Sequence, residues 1–222
     1  MPRPAETELL VQADRLVGGH DAVLVIHDTA IPKKGTHSAG VAPQYASALG
    51  KTANCQTLVS LTLAHGEVPV MLGLRLFLPE SWTSNQARLK RAGVPTEYRT
   101  ARTKPELALA EIDRVIATGV CFGCVLADAG YGLSAPFRQG LTARKLAWAV
   151  GIARHLKVYP ADVRMIWPVA KRGRPRQRHV PDILSIPAED RVQIAIRQRP
   201  NRSRSRHDRR QGCHGPARDS LP

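Results

Sequence analysis

The chain has 222 residues, 43% of them hydrophobic, which is enough for one substantial core or a core with an arm. Lys and Arg number 33 against 18 Asp and Glu, a formal net charge of +15 that suits a polyanion, either nucleic acid or an anionic membrane surface. No apolar run approaches the roughly 18 residues of a membrane span, and MPRPAETELL has no apolar centre, so neither a membrane helix nor a signal peptide is expected, and the natural reading is a cytosolic, DNA-facing protein.

In chain order, residues 6–18 (ETELLVQADRLVG) read as a weak helix closing at Gly18-Gly19. AVLVIHDTA (22–30) opens with a β-branched apolar run, so a buried strand is expected over 22–28. Residues 30–54 read as a long polar loop. Two apolar runs, 56–64 and 68–78, flank His65-Gly66-Glu67 and predict a hairpin, with Pro69 tolerable only at the start of its strand. Residues 80–104 form a polar excursion containing Trp82. Pro105 suits the first turn of a helix over 105–118, where Leu107, Ala110, Ile112, Val115 and Ile116 approximate a stripe and Gly119 ends it. A strand over 121–127, a short helix over 135–143 and a strand over 147–152 follow. Residues 160–190 return to a loop rich in Pro and basic residues. The expected order is β, β-hairpin, α, β, α, β, an α/β domain.

Two strand-like runs each end in an aspartate, Asp28 in AVLVIHDTA and Asp128 in CFGCVLADAGYG (121–132), 100 residues apart. A carboxylate where a buried strand meets a loop can hold a hard cation, because the sheet fixes it and the loop leaves it accessible. Taken singly, each aspartate could equally start a turn; together, on the first and fourth strands of this order, they can share a cation. Such a pair in a strongly basic chain suggests metal-assisted chemistry on a nucleic-acid phosphate. Lys33-Lys34-Gly35 sets positive charge close behind Asp28. Cys121 and Cys124 form a CxxC inside a strand-like run, with no second CxxC and no His pair at finger spacing, and read as buried cysteines. The histidines His27, His37 and His65 lack metal-ligand spacing and read as turn or surface residues. Gly50-Lys51-Thr52 is no P-loop, since Tyr45 stands where its first glycine belongs.

HDTAIPKKGTHSAGVAPQYASALGKTANCQTLVSLTLA, then VLADAGYG, then LAWAVGIARHLKVYP, resemble the core of bacterial insertion-sequence transposases of the DDE (Asp-Asp-Glu) type, over roughly residues 20–190. The resemblance implies an RNase H-like fold, a mixed sheet with flanking helices, and Asp28 and Asp128 as the first two acids of a Mg²⁺ (or Mn²⁺) site. Tyr131 fits the motif after the second aspartate. The implied activity is two-metal cleavage of DNA strands at transposon ends and their transfer to target DNA. Lys33, Lys34 and Lys51 would contact backbone phosphate by charge. Transposon-end and target DNA are the implied partners, with a homodimer as assembly, a nucleoid-associated cytoplasmic location and no membrane.

The family's third acid is a glutamate on a helix, with Tyr, Arg and Lys around it. After residue 150 the only glutamate is Glu189, in IPAEDR, which follows Pro187 and lacks that neighbourhood; it reads better as an acid of a helix's first turn. The residue-level resemblance stops near Asp190, so the expectation is a core incomplete at its C-terminus, through truncation or frameshift, and catalytically inactive. The expected layout is a remnant at 1–20, an RNase H-like core at 21–160, a basic loop at 161–190 and an Arg-rich tail at 191–222. That tail has nine Arg, no Lys and two acids, and reads as disordered, as a nucleic-acid-binding arm or as out-of-frame sequence. KRGRPRQR (171–178) resembles an AT-hook, so Lys171, Arg172, Arg174, Arg176 and Arg178 are expected to face DNA rather than to form a merely solvated loop. A non-catalytic DNA-binding remnant and an unrelated RNase H-like nuclease are the competing readings.

Overall fold

The computed structural model describes residues 4–168 and 178–191, which fall into two compact units, one reaching Gly151 and the other starting at Ile152. The first unit opens with helix α1 (Pro4–Val17). Leu10, Ala13 and Val17, three and four residues apart, are its buried stripe. The helix ends where the Gly18 N–H donates to the Asp14 carbonyl at 2.9 Å, while the Asp14 carboxylate accepts from the Cys121 N–H at 2.7 Å.

The sheet is built around β1 (Gly19–Pro32). On one side β1 pairs antiparallel with β3 (Lys51–His65), which pairs antiparallel with β4 (Val68–Phe77) and, at its start, with β2 (Ala42–Ala46). On the other side β1 runs parallel to β5 (Phe122–Ala127), and β5 parallel to β6 (Trp148–Val150). The six strands lie in the order β2-β3-β1-β5-β6 with β4 also on β3, a mixed sheet with flanking helices of the RNase H-like type. The hairpin turns at Gly66, which has φ +59°, a conformation that favours glycine. Pro69 lies at the start of β4, as its missing N–H requires.

Two stretches read as irregular carry structure. The loop over 30–54 contains β2 and the first residues of β3, whose polar side chains hide the strand pattern. The Asn54 side chain donates to the carbonyls of Lys33 and Gly35 at 2.8 and 3.0 Å, so the Lys33-Lys34-Gly35 turn is pinned. The excursion holds helices α2 (Glu80–Thr83) and α3 (Gln86–Arg91) around a small core of Trp82, Leu89 and Val94. Trp82 donates from its indole nitrogen to the Val41 carbonyl at 2.8 Å, and the Arg88 guanidinium lies 3.7 Å from its ring centroid.

Helix α4 (Lys104–Ala117) begins with a capping box: Thr103 accepts from the Glu106 N–H while Glu106 accepts from the Thr103 N–H. Its Ala108, Ile112 and Val115 join α1 on one face of the sheet, over Ala22, Leu24 and Ile26 of β1 and Val59, Leu61 and Leu63 of β3. Each buried Val, Leu or Ile among them contributes roughly 1.5–3 kcal/mol by leaving water. Gly73 lets a buried ion pair of α4 approach β4; a Cβ there would stand 2.8 Å from Arg114 Nη2 and 3.0 Å from Glu111 Oε2. Helices α5 (Ala129–Gly132) and α6 (Ala135–Ala143) complete this unit.

In the second unit, the described part of the stretch read as loop forms two-residue ladders, β7 (Lys157–Val158) with β10 (Ile186–Pro187) and β8 (Met165–Ile166) with β9 (Val180–Pro181), and a helical turn over 188–191. Among the described residues, no helix is long and apolar enough to cross a membrane.

Candidate metal and DNA site

Side chains alternate along a strand, so Asp28 falls on the same face of β1 as Leu24 and Ile26. It is not the last residue of its strand: β1 continues to Pro32 against β3. What ends near Asp28 is its parallel neighbour. The last β1–β5 partners are Ile26 and Ala127, and the residue after β5, Asp128, caps α5. The sheet therefore opens beside Asp28 because β1 outruns β5.

Asp128 accepts through Oδ1 from the N–H groups of Gly130 and Tyr131, at 2.8 and 3.3 Å, which fixes it at the helix start. Its Oδ2 lies 3.3 Å from Nδ1 of His27, the residue before Asp28. Close packing holds this turn in place. A Cβ on Gly132 would stand 1.8 Å from the Gly151 carbonyl oxygen, so the glycine lets α5 lie against the chain leaving β6.

Tyr131 ties the two aspartates together. Its N–H is donated to Asp128, and its hydroxyl donates to Asp28 Oδ1 at 2.5 Å. The ring is buried against Phe137, with centroids 5.4 Å apart. Burial, then the hydrogen bond to Asp28 and the charges of Asp28 and Asp128, push the phenol well above its ordinary range. A phenol raised in the folded state contributes stability that is full below its unfolded value of about 10 and is lost as pH rises beyond it. In an ultraviolet titration of wild type against Tyr131→Phe, the Tyr131 phenol should therefore stay protonated well beyond pH 10; a difference between the two that appears at about pH 10 would refute this.

The other oxygen of Asp28, Oδ2, accepts from Lys104 Nζ at 2.5 Å. Lys104 starts α4, and its ammonium lies 5.4 Å from the Phe77 ring centroid. A cavity of about 610 Å³ opens here, with Asp28, Tyr131, Phe77, Lys104 and Arg102 in its walls. The sequence offered no sign of the roles of Lys104 and His27. His27 read as a surface residue and is exposed, yet it faces Asp128.

The donors suit a hard divalent cation, since Mg²⁺ takes one or two carboxylates and fills its remaining positions with water and substrate phosphate. Asp28 Oδ2 and Asp128 Oδ2 are the oxygens that would hold it: their present partners are the side chains of Lys104 and His27, whereas Asp128 Oδ1 is tied into the helix start and Asp28 Oδ1 to the buried Tyr131. Among the described residues, no group of three or more His, Cys, Asp or Glu gathers in a way that could hold a metal. Glu189 is exposed in the second unit, its N–H donating to the Arg154 carbonyl at 3.2 Å. Cys124 is a free thiol and so is not bridged to Cys121, and both are half-buried rather than buried as expected.

Of the expected DNA contacts, Lys34 and Lys51 are exposed, Lys33 is half-buried and Arg178 is exposed in the second unit. Lys171, Arg172, Arg174 and Arg176 lie outside the described residues.

A family model described as DDE superfamily endonuclease matches residues 2–216, wider at both ends than the stretch in which individual motifs are recognisable. No curated protein and no solved structure matches the chain.

Proposed function

The chain belongs to the DDE superfamily endonuclease family, and from that premise we propose that it acts in DNA transposition, gripping DNA phosphate at the Asp28–Asp128 seam. The observation that supports this reading is that one residue, Tyr131, meets both aspartates, its N–H donating to Asp128 and its hydroxyl to Asp28, where β1 outruns β5. Mg²⁺ bound there would supply the activation of a water or 3′-hydroxyl and the stabilisation of a leaving oxygen. The chain's own residues orient and balance charge. Tyr131 and the start of α5 fix the two aspartates, while Lys104 and Arg102 put positive charge in the cavity wall. Lys33, Lys34, Lys51 and the basic run at 171–178 extend an attraction for phosphate that carries no base specificity.

In this reading the chain by itself binds DNA without cutting it. Both carboxylates are already engaged by protein donors, and Glu189 lies in a helical turn over 188–191 with Ser185, Ile186, Val192 and Gln193, none basic or aromatic, at helical spacing in the sequence. Incubation with Mg²⁺ and insertion-sequence end DNA should give a complex and no cleavage. Robust cleavage that disappears in Asp28→Asn would overturn the non-cleaving part and restore full strand transfer. Binding should fall steeply with salt, with a log–log slope of about 0.9 per phosphate neutralised. A flat salt profile would sink the electrostatic grip.

A further inference from the structure

Lys104 stands where a metal would. Its ammonium is 2.5 Å from Asp28 Oδ2, the oxygen left over once Tyr131 has taken Oδ1. This is no loose surface pairing. The lysine side chain is 28% exposed and that of Asp28 20%. Lys104 begins a helix locked by a capping box, and its ammonium lies over the Phe77 ring. A partly buried carboxylate needs a positive partner, and the ammonium supplies it.

A divalent ion on Oδ2 and the Lys104 ammonium cannot share that position, since like charges at contact distance repel strongly in a partly desolvated site. The lysine is a point charge on a flexible stem, so it can leave while its backbone stays in α4. The cavity beside it offers space, and Arg102 lies in the same wall. We propose that Lys104 is a stand-in cation: it neutralises Asp28 while no metal is bound, yields Oδ2 to the divalent ion, and on leaving becomes a phosphate contact for the DNA strand in the cavity. This rests on the reading of Asp28 as a metal ligand. It adds that metal binding and DNA contact are coupled through one side chain, a positioning role rather than a chemical one.

The test is Mn²⁺ binding to the full chain, followed by the electron paramagnetic resonance of free Mn²⁺. Lys104→Met removes the competitor, so Mn²⁺ should bind several-fold more tightly than to the wild type. Should that variant fail to fold, Lys104→Gln keeps a hydrogen-bond donor for Asp28 without the charge and should show the same gain. Unchanged or weaker binding in a folded variant overturns the proposal. Asp28→Asn separates the two ideas: if it leaves Mn²⁺ binding intact, the metal-ligand reading fails whatever Lys104 does. DNA affinity provides the second arm. Loss of Lys104 should weaken binding to end DNA more with Mn²⁺ present than in chelator, because only the displaced lysine is free to touch phosphate. An equal loss in both conditions overturns the coupling.

Discussion

Asp28→Asn should lower the chain's affinity for Mn²⁺ by two orders of magnitude or more while leaving it folded. Losing an outer-shell partner of a metal ligand typically costs 10–100-fold in affinity, so loss of a ligand itself should cost at least as much. The amide keeps the size of the side chain and can still meet the Tyr131 hydroxyl. Lys104 loses its counter-ion but has the adjoining cavity to move into. Stability should therefore fall by only about 1–3 kcal/mol, the range for losing a charge-assisted hydrogen bond. Metal binding by calorimetry and unfolding by urea, measured on one preparation, separate the two effects. A variant that unfolds outright would show Asp28 to be a structural anchor first.

The largest effect on stability is expected away from the site, at Glu111. Glu111 is 6% exposed, and its carboxylate is held by Arg75 Nε at 2.5 Å and Arg114 Nε at 3.0 Å. Arg75 also reaches Glu6 with both terminal nitrogens, so α1, β4 and α4 are fastened at one point. Burial pulls the Arg75 guanidinium downward, yet its hydrogen bonds to Glu6 and Glu111 outweigh that and hold it above its ordinary value. Glu111→Ala leaves two guanidinium groups partly buried with one carboxylate between them. Removing one partner of such a buried set costs about 3–5 kcal/mol, or a melting temperature lower by roughly 10 °C in a chain of this size. A loss under about 1 kcal/mol in urea unfolding would show that water already screens this cluster.

Much of this fold was legible in local patterns. The β-branched run before Asp28 and the apolar run before Asp128 gave both strands, and Pro105 with Gly119 bounded α4 to within about a residue, because such runs and end signals are local. Strand β2 carries no clear local signal, since Ala42–Ala46 includes Pro43, has Gln44 on its half-buried side, and becomes a strand only by pairing with β3. The short helices over 80–91 escaped for a similar reason: Trp82 finds its core and its acceptor at Val41 from across the chain.

The sequence by itself determined that two aspartates end apolar runs, that their strands can be neighbours, and that the surrounding charge favours phosphate. The tertiary structure decided what those carboxylates touch. Lys104 comes from 76 positions away to meet Asp28, from the start of α4, and Tyr131 from 103, because β5 turns into α5 beside a longer β1. No local pattern encodes such meetings, since they depend on where two strands stop relative to each other. In the fold Asp28 is a carboxylate already partnered by a lysine and a tyrosine, rather than an open carboxylate at a strand's tip.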